Sequence, residues 1–171
     1  NLQDGFQYGI NPSSGPFRVN STLSGLPEEP QSVQVMGIQL GPGDQDNYVK
    51  MMIGDDMPKV EFSHEYGGSA DIKQGTTVPD MTGPNDPKTN LSLVVYPSNN
   101  TIEAYYQTEG GNWTYYAEKT VPAEWFDTSD GSGLAVGLIA TSTADPFDPT
   151  WHHLTVEELD TETQTDNSTQ D

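Results

Sequence analysis

Polar turns cut this chain into short apolar runs that alternate with period two. The stretch Gly37-Ile-Gln-Leu-Gly-Pro-Gly-Asp-Gln-Asp-Asn-Tyr-Val-Lys-Met-Met-Ile-Gly54 reads as strand, turn, strand, and Val60-Glu-Phe-Ser-His-Glu-Tyr66 as the strand that follows. The same pattern predicts strands at 17–19, 33–40, 91–96, 101–108, 113–118, 133–141 and 151–159. Residues 91–118 read as a three-stranded meander with turns at Pro97-Ser-Asn-Asn100 and Glu109-Gly-Gly-Asn112. The run 133–141 is apolar on both faces, which predicts an interior strand. Residues 67–89, with Pro79, Pro84 and Pro87, read as a long loop, and most of 1–30 reads as loop as well. No helical period appears. About ten strands without helices predict two stacked antiparallel sheets over 1–159, with 160–171 a polar tail or linker.

Alternation also assigns faces. Val60, Phe62 and His64 point to the core, and Glu61, Ser63 and Glu65 away from it. In the meander, Leu91, Leu93, Val95, Ile102, Ala104, Tyr106, Trp113, Tyr115 and Ala117 form the core set. The predicted outward set holds Tyr96, Tyr105, Tyr116 and Trp151, with Lys50, Glu61, Glu65, Glu103 and Gln107.

Composition narrows the partners. The 171 residues carry 26 acids against 6 bases, a net charge of −20. That field repels phosphate backbones and anionic lipid, so nucleic acid and membrane are excluded as partners; it suits neutral ligands, cations and high salt. A marine or halophilic secreted source is expected. No cysteine is present, which removes disulfides and thiolate metal sites. The chain contains no signal-peptide or membrane-spanning run and begins with Asn1, so a processed product or excised domain is expected. Sequons at Asn20, Asn90, Asn112 and Asn167 are as expected by chance in an Asn/Thr-rich chain.

The order Gly-hydrophobic-Gln-Leu (37–40), Asp-Asn-Tyr-Val-Lys (46–50), Glu-Phe (61–62), Leu-Ser-Leu-Val-Val (91–95), Tyr-Tyr-Gln-Thr-Glu-Gly-Gly-Asn-Trp-Thr (105–114) and Leu-Ala-Val-Gly-Leu-Ile-Ala-Thr (134–141) resembles concanavalin A-like lectin/glucanase jelly rolls. It is most similar to their laminin-G-like and glycan-binding modules. The likeness covers roughly 33–159. It implies an all-β, two-sheet antiparallel β-sandwich that binds a glycan, often tethered beside other domains of an extracellular or cell-surface protein. Glycoside hydrolases of that superfamily bear Glu-x-Asp-x-Glu on a strand. Glu61-Phe-Ser63-His-Glu65 keeps that carboxylate spacing with Ser63 in place of the Asp. The resemblance would make Glu61 a nucleophile and Glu65 an acid/base.

Three readings follow. The first is a non-catalytic carbohydrate-binding module in which rings stack on sugar faces and polar side chains bond the hydroxyls. Its candidate ligand residues are Tyr96, Tyr105, Gln107, Tyr116, Trp151, Lys50, Glu61, Glu65 and Trp125; Trp125, in a loop, serves equally as a binding lip or as a plug for the sandwich. The second is a hydrolase using Glu61 and Glu65, whose carboxyls retaining chemistry needs about 5 Å apart. The third is a structural or adhesive surface module stiffened by calcium. Asp127 and Asp130 in Asp127-Thr-Ser-Asp130-Gly-Ser-Gly, with Asp44 and Asp46, are the candidate calcium ligands, a hard cation needing six to eight oxygens. His64, His152 and His153 are expected to be structural, and no cofactor other than calcium is implied.

Overall fold

The structure, a computed structural model, describes residues 5–12, 15–78, 88–143 and 145–160, with the backbone alone at 5 and 72–74. Among the described residues eleven strands are formed: β1 (Gly5–Ile10), β2 (Phe17–Ser24), β3 (Val35–Gly41), β4 (Tyr48–Gly54), β5 (Lys59–Tyr66), β6 (Ser69–Thr77), β7 (Thr89–Tyr96), β8 (Thr101–Thr108), β9 (Thr114–Thr120), β10 (Leu134–Thr141) and β11 (Thr150–Glu158). They build a six-stranded sheet, β1-β10-β3-β4-β5-β6, and a five-stranded sheet, β11-β2-β7-β8-β9. Every neighbouring pair is antiparallel. The expected two-sheet β-sandwich is the fold. Among the described residues no helix is long and apolar enough to cross a membrane.

Alternating apolar side chains fill the space between the sheets. Met36, Ile38, Leu40, Val49, Met51, Ile53, Val60 and Phe62 come from one sheet, and Phe17, Val19, Leu23, Leu91, Leu93, Val95, Ile102 and Ala104 from the other. Each large side chain so buried stabilises the fold by about 1.5–3 kcal/mol, before conformational entropy is subtracted.

Two strands escape the apolar pattern. Ser69-Ala-Asp-Ile-Lys-Gln-Gly-Thr-Thr77 is β6, not loop; it forms the edge of its sheet, where polar and charged side chains are tolerated and block further pairing. Gly67 and Gly68, with φ of 56° and 78°, make the two-residue turn that folds it back onto β5. Segment 5–10 forms the opposite edge as β1. The loop prolines Pro79, Pro84 and Pro87 and the tail 161–171 lie outside the described residues.

Bulges correct three facing assignments. Ala104 pairs with Ala117 and Tyr105 with Tyr115, so Tyr116 has no residue opposite it. The extra residue turns Tyr116 into the core beside Tyr106 and turns Tyr115 outward beside Tyr105, the reverse of strict alternation. Trp113 is also exposed rather than packed. A second bulge, between Trp151 and His153, lets Trp151 reach inward; its indole N–H donates to the Gly37 carbonyl of the facing sheet at 3.1 Å. Trp125, in the short 3-10 turn Ala123–Phe126, is buried edge-on to Tyr66 and is the plug rather than the lip.

Candidate functional site

These corrections leave the predicted outward residues on two opposite faces. Lys50, Glu61 and Glu65 stand on the outer face of the six-stranded sheet, while Tyr96, Tyr105 and Gln107 stand on that of the five-stranded sheet. Tyr116, Trp125 and Trp151 lie within the sandwich and reach neither.

The six-stranded face is laid out in rows across the strands. Gln7, Gly137, Gln39, Lys50 and Ser63 are in register across β1, β10, β3, β4 and β5. In the next row Gly9, Ala135 and Gly41 lead to the Tyr48–Glu65 pair. Glycines thin the middle of the face, leaving a shallow, solvent-open cleft bordered by Gln7, Gln39, Gly41, Gly43, Asp44, Asn47, Tyr48 and Ala135. A Cβ on Gly41 would sit 2.4 Å from the Asn47 carbonyl oxygen, so only glycine fits that floor.

The cleft mouth is fixed by its own turn. The Asp44 carboxylate accepts the Asp46 N–H at 2.8 Å and the Asn47 amide at 3.1 Å. Asn47 Oδ1 in turn accepts the Gly67 N–H at 3.1 Å, and the Asp46 carbonyl accepts Gly68 N–H at 3.2 Å. The β3–β4 turn is thereby stitched to the β5–β6 turn.

Electrostatics favours hydrogen bonding here. The Tyr48 hydroxyl donates to Glu65 Oε2 at 2.6 Å; burial and the Glu65 carboxylate both push the phenol up, so it stays a donor. The Lys50 ammonium lies 5.8 Å from the Tyr48 ring centroid. Burial raises the Glu61 carboxyl, with Lys50 pulling the other way; the Ser63 hydroxyl lowers it slightly but makes no well-formed hydrogen bond of its own. Gln39 is 5% exposed, and its Oε1 has no hydrogen-bond partner. A buried amide oxygen left unpaired costs about 1–3 kcal/mol, which a bound hydroxyl would recover.

Glu61 and Glu65 share this face, as alternation predicts, but four residues of strand separate their Cα atoms by about 13 Å. Their side chains turn to different neighbours: Glu65 is held by Tyr48, and Glu61 pairs across the ladder with Met52. The Tyr48, Gln39 and Gln7 positions were missed in the sequence. Tyr48 had a visible signal, since it alternates in phase with Lys50.

The acidic turns are self-capped. Asp127 accepts the Ser129 N–H at 3.0 Å and Asp130 the Ser132 N–H at 2.8 Å; bonding to those serines holds both carboxyls below the usual range. Among the described residues, no three His, Cys, Asp or Glu side chains converge as a metal cluster, around Asp44 and Asp46 or elsewhere.

No protein-family model matches the chain, and no curated protein does. Solved structures do. The GH43 protein BlXynB from Bacillus licheniformis superposes with a TM-score of 0.66 at 15% identity, over 84% of this chain and 28% of that one. The Bauhinia forficata lectin, solved with GalNAc, gives 0.60 at 10% identity over 90% and 76%. The CBM2 module of the evolved Dit of Lactobacillus casei BL23 phage J-1 gives 0.54 at 12% identity over 91% and 69%. The chain thus spans little more than a quarter of the GH43 protein. The fold is the lectin-like, two-sheet antiparallel β-sandwich that these structures share.

Proposed function

We propose that this chain is a non-catalytic carbohydrate-binding module of a secreted multidomain protein, taking a neutral polysaccharide on the outer face of its six-stranded sheet. The observation that carries this reading is the buried, unpartnered Gln39 Oε1 in a cleft walled by Tyr48. A sugar hydroxyl donates to that oxygen, the Tyr48 ring stacks on an apolar sugar face, and Gln7, Asn47 and Lys50 bond further hydroxyls. The lectin and CBM2 likenesses support the reading at the level of fold. Tethering would raise the local concentration of substrate for a partner domain. The test is binding to β-glucans, galactans, mannans and alginates, with reducing-end release read in the same wells. Tyr48→Ala and Gln39→Leu should each weaken binding about tenfold, the loss of one interaction of ~1.4 kcal/mol. Absence of binding to every glycan sinks the reading.

The hydrolase reading has Glu61 and Glu65 on one face of the sheet, but burial raises the Glu61 carboxyl, which suits a proton donor and reverses the nucleophile role that the resemblance gives it. Sugar release that disappears in Glu61→Gln would establish it over the module reading. Calcium at Asp44, Asp46, Asp127 or Asp130 is a separate proposal, which an unchanged melting temperature in calcium and in chelator would remove.

A further inference from the structure

The outer face of the five-stranded sheet divides into rows of opposite character. At one end the polar groups satisfy each other. Thr22 donates to Asn90 Oδ1, Asn90 Nδ2 donates to Gln107 Oε1 at 2.7 Å, and Gln107 Nε2 donates to the Gly111 carbonyl at 3.0 Å. The Thr22 hydroxyl, its proton committed to Asn90, accepts from His153 Nε2 at 2.7 Å.

The next row is not closed. Thr155, Asn20, Ser92, Tyr105 and Tyr115 stand in register across β11, β2, β7, β8 and β9. Ser92 is 1% exposed and its Oγ has no partner; Asn20 Oδ1, its neighbour in register, has none either. Beside them Tyr105 and Tyr115 pack edge to face, centroids 5.6 Å apart. The Tyr105 hydroxyl is pinned by Glu103 Oε2 at 2.7 Å, which sets the ring's position. Tyr115 is 51% exposed and Trp113, two residues before it, 45%. The row therefore holds two buried, unpartnered polar atoms followed by the half-buried Tyr105 and the exposed Tyr115, and spans about 19 Å from Thr155 to Tyr115 at ordinary strand spacing.

We propose that this row is a second carbohydrate site, back to back with the cleft on the six-stranded sheet, and that it takes a neutral polysaccharide lying across the strands. A hydroxyl donates to Asn20 Oδ1, another exchanges a hydrogen bond with Ser92 Oγ, and a sugar's C–H face covers Tyr115. The occupant is neutral because carboxylates flank the row: Glu103 and Glu118 face each other across β8 and β9, and Glu157 lies beside Arg18. An anionic chain such as alginate meets like charge there. With a site on each of two opposite faces the module is bivalent and can bridge two polysaccharide chains, rather than engage one flat surface twice. The proposal rests on the carbohydrate reading but on none of the residues of the first cleft.

The test uses insoluble β-glucan, galactan and mannan particles, with soluble fragments of whichever is bound titrated calorimetrically. Wild type is compared with Tyr105→Ala/Tyr115→Ala and with Tyr48→Ala, each checked for fold by circular dichroism. A milder pair, Ser92→Val and Tyr115→Ser, covers the case in which the double alanine variant does not fold. Two sites per chain in wild type and one in either single-face variant are expected, with cross-linking of the particles lost in both variants. A stoichiometry of one that Tyr48→Ala abolishes, with the five-stranded-face variants unchanged, overturns the second site and leaves the first. No binding by wild type to any particle overturns both.

Discussion

Backbone strain at one position makes a clear prediction. Val33 has φ of 60°, a region β-branched residues avoid at a cost of about 1–3 kcal/mol. It is held there by its N–H, which donates to Asp55 Oδ1 at 3.0 Å, and Asp55 itself pairs with Lys59 at 3.1 Å. The exposed side chain adds little packing. Val33→Gly keeps the hydrogen bond and removes the clash, at an unfolded-state entropy cost of about 0.4–1 kcal/mol. A net gain of about 1 kcal/mol in urea unfolding is expected; a loss would mean that the valine side chain contributes contacts the strain only partly offsets. At this same scale the candidate site was half legible. Glu61, Glu65 and Lys50 were found because alternation along a regular strand fixes a face. Tyr116 and Trp151 were misassigned because a bulge adds one residue without leaving a mark in hydrophobicity.

Among the elements, interior strands announced themselves, while two of the four edge strands, β1 and β6, did not. β3, β4, β7 and β10 are buried on at least one face and spell that out in Ile, Leu, Val and Met. β1 and β6 each pair on one side only, so nothing forces an apolar alternation on them. Where the β5–β6 hairpin meets β9, the sandwich is closed by polar contacts, and these predict a pH response. Lys119 of β9 pairs with Asp71 of β6 at 3.2 Å, while His64 of β5 stacks on Tyr66 at 4.1 Å and lies 3.8 Å from Asp71. Burial lowers the His64 imidazole below its ordinary 6.5, and Lys119 lowers it further against the pull of Asp71. The unfolded chain thus takes up a proton first as pH falls. The contribution of neutral His64 is complete above about 6.5 and declines below it, until the folded state protonates as well. His64→Phe keeps the stacking and removes the titration. Its melting temperature relative to wild type should rise between pH 7.5 and pH 5.5; a constant difference would show that His64 is not the titrating group.

For the whole molecule, the charge excess that sequence alone displayed acts on stability and recognition in different ways. A formal −20 on 171 residues disfavours compaction. Ion pairs such as Arg18–Glu157, Lys59–Asp55 and Lys119–Asp71 set a base against an acid at an edge or turn, but six bases cannot neutralise 26 acids. Salt screens that repulsion over a Debye length of about 10 Å at 0.1 M and about 3 Å at 1 M. The melting temperature should therefore rise steeply with sodium chloride to a few tenths molar and then flatten. Glycan binding should behave otherwise. Hydrogen bonds to Gln39 and stacking on Tyr48 involve a neutral ligand, so affinity for a neutral polysaccharide should change less than twofold over the range in which stability climbs. The two curves are separable in one experiment: thermal shift and particle binding from 0.05 to 1 M salt, as order-of-magnitude bounds on screening. Affinity that falls in step with added salt would mean that Lys50 or another charge dominates recognition, and the neutral-ligand reading of both faces would have to be given up.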